Sequence, residues 1–176
     1  MATRRIIRNA CVVSVDPEIG TLPRGDILVE DGRIVAIGRD LGVDDAEGIE
    51  ADGMIAMPGL VCCHRHMWMT LLRGFVSDGT WASYGVETYW GRRPLYQARD
   101  AHIAAYAGAL EAIDAGVTTV LDFHDCSVRP GNADASLDAL EKSGLRAVFC
   151  YGLEGPPDLP QAREPTSEEL APTHDW

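Results

Sequence analysis

From Arg99 onward the sequence alternates between helical and strand periodicity, and this alternation limits the fold more than any other feature. Arg99 to Ala115 has helical spacing. Ile103, Tyr106, Leu110 and Ile113 fall at offsets of three, four and three, which predicts one apolar face turned towards a core. Gly116 suits the left-handed cap that stops a helix. Val117 to Phe123 is a β-branched strand. Asn132 is the expected N-cap of a second helix through Lys142, with Leu137 and Leu140 facing inward and Gly144 closing it. Leu145 to Tyr151 is the next strand. Upstream, Leu60 to Cys63 is a compact apolar run after Pro58-Gly59, the pattern of a parallel strand buried on both faces. Strands and helices in this order predict right-handed parallel βαβ units.

The first fifty residues have a different texture. In Ile27 to Gly38, ILVEDGRIVAIG, Asp31-Gly32 separates two β-branched runs, a strong hairpin signal. With the β-forming run Ile6 to Val15, a turn at Asp52-Gly53 and the short run Met54 to Met57, it predicts a small antiparallel sheet. Between Met67 and Tyr96 the chain is irregular and rich in aromatics, with a helical stretch expected near Thr70 to Arg73. Trp68, Trp81, Tyr84, Tyr89 and Trp90 either line a pocket for a flat heterocycle or fill a core beneath a loop. Glu154 to Trp176 carries five prolines and six acidic residues, and is expected to lack stable structure.

Charge narrows the function. The 15 basic residues against 27 acidic give a net charge of −12, a surface that repels phosphate backbones and anionic lipid. A neutral or cationic small molecule is the expected partner, and neither nucleic acid nor membrane is. No run approaches the ~20 apolar residues of a membrane span. The odd count of five cysteines has no framework spacing, which predicts a reduced, cytoplasmic setting.

Chemistry concentrates in Pro58 to Gly74, PGLVCCHRHMWMTLLRG. In an extended strand His64 and His66 project to one side, roughly 7 Å apart, while Arg65 points away. Two imidazoles so placed can converge on one divalent ion, and histidine suits zinc, iron or nickel. A metal-bound water ionises near neutral pH and becomes a nucleophile. In parallel α/β folds, functional groups gather at the carboxyl ends of strands, where this pair lies. Counted by twos, Cys62 shares the imidazoles' side, either as an unusual soft ligand or as a small buried residue. Val120, Asp122 and His124 share a side by the same count.

These stretches resemble the amidohydrolase superfamily, and within it the cytosine deaminase and triazine-hydrolase-like branch. HRHMW followed by TLLRG, GDILVEDGRIVAIG from Gly25 to Gly38, and DAGVTTVLDF from Asp114 to Phe123 carry the resemblance, which runs from about Arg5 through Gly152. It implies an α/β fold: an incomplete (β/α)8 TIM barrel holding the first three strands over 58–153. A small antiparallel β-sandwich segment over 1–57 precedes it, and 154–176 forms a tail.

The same resemblance implies a metal-dependent hydrolase of non-peptide C–N bonds, acting by deamination or amide or amidine hydrolysis of a small heterocyclic substrate. His64 and His66 would be the first two ligands of one divalent metal, zinc foremost and iron the alternative. Trp68, Arg73 and His124 are the candidate substrate contacts, and no catalytic acid or base is assigned. The sequence departs from the family at two points. It lacks counterparts of the later-strand histidines and aspartate, and Cys62 stands where an aspartate or asparagine is usual. An inactive truncated fragment, or half of a split barrel needing a complementing chain, are therefore the competing readings. The unsatisfied strand edges and interior face of an unclosed barrel predict self-association.

Overall fold

Residues 3–152 are described by a computed structural model, in which the chain divides into two units, Met1–Pro58 and Gly59 onward. The tail expected over 154–176 lies outside the described residues.

In the first unit the Asp31-Gly32 turn forms between β2 (Thr21–Glu30) and β3 (Arg33–Gly38). Asp31 and Gly32 have φ of 47° and 76°, the double positive φ that a two-residue hairpin needs. β2 also pairs antiparallel with β1 (Arg4–Val13). The sheet is nonetheless mixed, not antiparallel as expected. β4 (Glu47–Glu50) and β5 (Ile55–Ala56) both run parallel to β1, one after the other. The Asp52-Gly53 turn does not reverse the chain. Ala51 N–H donates to Arg8 O at 2.9 Å and Cys11 N–H to Met54 O at 2.9 Å, so the chain bulges and rejoins the same edge. Ala10, Val12, Ile27 and Ala51 form the core of this unit.

The second unit is built on a three-stranded parallel sheet of order β6-β7-β8: Leu60–Arg65, Val117–His124 and Arg146–Tyr151. A 3-10 turn (Met67–Leu72), a short α1 (Trp81–Tyr84) and a π-helical turn (Gly85–Trp90) lead into α2 (Ala98–Asp114). α3 (Asn132–Ser143) connects β7 to β8. Met67, Ala105, Ala109, Val120, Ala139 and Leu140 lie in the core where both helices meet the sheet.

Three local expectations give way here. First, α2 buries its small residues: Ala101, Ala104, Ala105 and Ala109 are fully buried, while Ile103, Tyr106, Leu110 and Ile113 are each 38–46% exposed. Close approach decides this. A Cβ added at Gly108 would lie 2.4 Å from Thr70 Oγ1 and 2.9 Å from Met67 Sδ, so only a narrow helix face fits against the 3-10 turn. On α3, likewise, Leu140 is buried and Leu137 is 37% exposed.

Second, Asn132 does not cap α3. Gly131 is the N-cap, at φ 85°, and the buried Asn132 amide donates to the carbonyls of Cys126 and Tyr96 at 3.0 and 3.3 Å. Third, β6 is not buried on both faces, because it forms the sheet edge: Leu60 and Val61 are 52% and 68% exposed.

Candidate functional site

The carboxyl end of β6 carries an irregularity that the alternation of a strand does not foretell. Cys62 pairs with Val120 but Arg65 pairs with Asp122, so three steps on β6 match two on β7. Such a bulge re-aims side chains. Cys62 packs against the core beneath α2, and Arg65 turns to the same helix, its Nη2 donating to Glu111 Oε2 at 3.0 Å. Counting by twos therefore misplaces Cys62. It packs against the core, with its Sγ 3.9 Å from the His64 carbonyl oxygen.

His64 and His66 are brought together. Their ring centroids lie 5.8 Å apart with planes at 60°, and the His66 ring meets the edge of Phe123 at 5.6 Å. His64 is exposed, and His66 is partly buried at the N-cap of the 3-10 turn. Two imidazole donors this close fit a borderline divalent cation. A usual zinc site has four ligands, twice the number of imidazoles gathered here. Among the described residues, no group of three or more His, Cys, Asp or Glu side chains is placed to hold a metal ion.

Behind His66 stands Asp125, which the sequence reading passed over. Its Oδ1 lies 3.3 Å from His66 Nδ1 and accepts the indole N–H of Trp68, and its Oδ2 accepts the hydroxyl of Tyr89. Its carbonyl accepts from Arg93 at 2.9 Å. Burial alone would raise the Asp125 carboxyl, but hydrogen bonds from His66, Tyr89 and Trp68 outweigh it and hold the pKa below the ordinary value. The hydrogen bond with Asp125, in turn, raises His66, helped by the carbonyl of Phe123 and against the effect of burial. One signal was available in the sequence: Asp125 is the first residue beyond a parallel strand, where functional groups collect.

Of the three candidate substrate contacts, Trp68 and His124 are buried and Arg73 is exposed. Trp68 is fully buried, edge-on to Tyr89 and Tyr96 at 5.7 and 5.3 Å, and its N–H is used by Asp125. Of the aromatics, Trp68 and Tyr96 fill a core beneath the loop, while Trp81 is 82% exposed and stacks on Tyr84. Arg73 is paired with Glu111, the carboxylate that also holds Arg65.

His124 is fully buried and stacks on Phe149 at 5.1 Å, on the side of the sheet where Val120 and Asp122 are buried too. Among the described residues, neither of its ring nitrogens has a hydrogen-bond partner. Burial lowers its pKa to about 4. Asp122, also fully buried, accepts Met67 N–H at 2.8 Å, while its second oxygen has no hydrogen-bond partner among the described residues. Burial raises it to about 6, against the effect of the Met67 hydrogen bond.

No helix among the described residues is long and apolar enough to cross a membrane. Cys11, Cys62, Cys63 and Cys150 are free thiols.

Comparison with known proteins agrees with this geometry. Residues 55–173 match the family model described as Amidohydrolase family. The chain is 34% identical over 148 residues to the 5'-deoxyadenosine deaminase of Methanosarcina acetivorans, covering 84% of this chain and 33% of that protein. It is 36% identical over 156 residues to the 5-methylthioadenosine/S-adenosylhomocysteine deaminase of Desulforudis audaxviator, covering 86% of this chain and 34% of that one.

Among solved structures, an atrazine chlorohydrolase from Arthrobacter aurescens, complexed with zinc and atraton, superposes with a TM-score of 0.70 at 28% identity. The match covers 82% of this chain and 35% of that one. A zinc-bound adenosine deaminase from Xanthomonas campestris gives 0.70 at 25%, covering 83% and 33%. The chain thus spans about a third of the length of the relatives it matches. With the family model covering most of its length, the chain belongs to the amidohydrolase family.

Proposed function

We propose that this chain is the amino-terminal portion of a metal-dependent deaminase, in which His64 and His66 are the first two ligands of one divalent ion, zinc before iron. The reading rests on one observation: the two imidazoles stand 5.8 Å apart at the carboxyl end of a parallel strand. A divalent metal held there supplies hydroxide at neutral pH. The protein's own part is to present two imidazole nitrogen donors and to hold the bulged strand end in place. Glu111 does the latter, tying Arg65 and Arg73 to α2.

The deaminase activities for which the relatives are named support a small heterocyclic amine as substrate, losing its exocyclic amino group by cleavage of a non-peptide C–N bond. The β6-β7-β8 sheet with α2 and α3 corresponds in this reading to the first three strands of a (β/α)8 barrel, over 58–153. Residues 1–57 form the accompanying sandwich segment.

Zinc affinity, measured by competition with a chromophoric chelator, tests the ligand assignment on the 176-residue chain. His64→Ala and His66→Ala should each weaken binding at least tenfold. Unchanged affinity in both variants would overturn the assignment. Ammonia release from 5'-deoxyadenosine and other heterocyclic amines then tests the reaction.

A second reading is favoured by the ligand count. With only two imidazoles gathered among the described residues, the chain alone holds metal weakly and requires further ligands from a complementing chain. Tight stoichiometric zinc in the isolated chain would reject it. Tightening only after a second chain is added would support it.

A further inference from the structure

We infer that Asp125 is a positioning residue that fixes the tautomer of His66, keeping the proton on Nδ1 and leaving Nε2 as the nitrogen able to bind a cation. The inference rests on the reading of His66 as a metal ligand and adds which nitrogen serves and what enforces the choice.

An imidazole has two nitrogens, and in the neutral ring the hydrogen bond made by one decides which tautomer is present. Of the two acceptors beside the ring, the Asp125 carboxylate and the Phe123 carbonyl, the carboxylate makes the hydrogen bond, with Oδ1 3.3 Å from His66 Nδ1. A carboxylate can only accept, so Nδ1 must carry the proton for this contact to be favourable. The carboxylate is itself held against rotation. Trp68 Nε1 donates to the same Oδ1, Tyr89 Oη donates to Oδ2, and the Asp125 carbonyl is bound by Arg93 Nη1 at 2.9 Å.

The two aromatic donors come from different parts of the Met67–Tyr96 segment and converge on one residue just past β7. With both oxygens engaged, a quarter-turn of the carboxylate about its Cβ–Cγ bond would break the hydrogen bonds to both oxygens at once. Edge contact with Phe123 at 5.6 Å limits rotation of the His66 ring in the same way. Nothing comparable constrains His64, whose ring nitrogens make no hydrogen bond among the described residues, so the pair is asymmetric by construction. Partners of this kind typically change metal affinity by about 10- to 100-fold.

Nitrogen-15 labelling of the histidines gives a direct readout on the metal-free chain. At alkaline pH, where the rings are neutral, two-bond proton–nitrogen correlations should show His66 protonated at Nδ1 and bare at Nε2. The reverse assignment in the unaltered protein would overturn the inference without recourse to any variant. In Asp125→Ala the Nδ1–H preference should be lost. In Asp125→Asn the amide oxygen can still accept from His66 while the NH2 turns to the Tyr89 oxygen, so the preference should be kept. A folded Asp125→Ala protein that retains the Nδ1–H form would also reject the inference.

Zinc competition separates the two layers of the argument. Asp125→Ala should weaken binding about 10- to 100-fold and Asp125→Asn less. If His66→Ala leaves zinc affinity untouched while the tautomer behaves as stated, the ligand reading fails and the positioning contact stands. If His66→Ala abolishes binding but Asp125→Ala changes neither tautomer nor affinity, the positioning role fails and the ligand reading stands.

Discussion

Trp68 donates its indole N–H to Oδ1 of Asp125, the same oxygen that lies 3.3 Å from His66 Nδ1. A fully buried tryptophan is thereby joined to the residue that flanks a candidate ligand. Trp68→Phe keeps an aromatic ring but removes this donor and leaves a void. A charged hydrogen bond and part of a large buried side chain are lost together, so stability should fall by about 3 kcal/mol. Urea unfolding followed by circular dichroism checks it, and a loss below about 1 kcal/mol would show that the contact is not desolvated.

Asp122 and His124 should oppose one another in their effect on stability with pH. The carboxyl of Asp122 is raised to about 6, so folding favours its protonated form; its contribution is present in acid and is lost as pH rises through 6. His124 is lowered to about 4, so folding favours its neutral form; its contribution is present above the ordinary histidine value and is lost as pH falls towards 4. Each shift corresponds to about 3 kcal/mol, and over pH 4 to 6.5 they nearly cancel. In Asp122→Asn, stability should fall steeply on acidification through that window. In His124→Phe it should rise instead. Urea midpoints at half-unit pH steps distinguish these outcomes, and parallel profiles for the two variants would contradict both assignments.

Gly108 should not tolerate even a methyl group. Glycine to alanine inside a helix ordinarily stabilises by about 1 kcal/mol. Here the added Cβ would come within 2.4 Å of Thr70 Oγ1. Overpacking of this kind costs about 1–3 kcal/mol and should win, leaving Gly108→Ala destabilised. Adding Thr70→Ala removes the obstructing oxygen, which is buried without a hydrogen-bond partner, and should recover most of the loss. Thermal unfolding of the single and double variants measures the coupling; additive effects would mean that the helix shifts instead.

The outer stripe of α2 should drive association. Ile103, Tyr106, Leu110 and Ile113 are all more than a third exposed on one helix, and Val61, Phe123 and Val148 are exposed on the strands. Exposed apolar surface of this kind marks an interaction or aggregation site. The 176-residue chain should therefore self-associate at micromolar concentration in light scattering. Leu110→Lys combined with Ile113→Lys should shift it towards monomer, and a wild-type chain that is monodisperse and monomeric would refute the expectation.

Much of this protein was legible from residue order. The hairpin at Asp31-Gly32 follows from positive φ at two successive residues, the strand and helix succession after Arg99 from periodicity, and the approach of His64 to His66 from their spacing at a strand end. These depend on local geometry, which neighbours along the chain dictate. Tertiary packing decided the rest. Which face of α2 is buried depended on how closely Gly108 had to approach Thr70, and the side taken by Cys62 depended on one extra residue in the pairing of β6 with β7. That Asp125, 59 residues from His66, became its partner depended on β7 ending beside β6, with Trp68 and Tyr89 brought in from the intervening segment. Contacts between segments far apart in sequence leave no period to read, so the approach of His64 to His66 could be anticipated from their spacing, while the pairing of Asp125 with His66 could not.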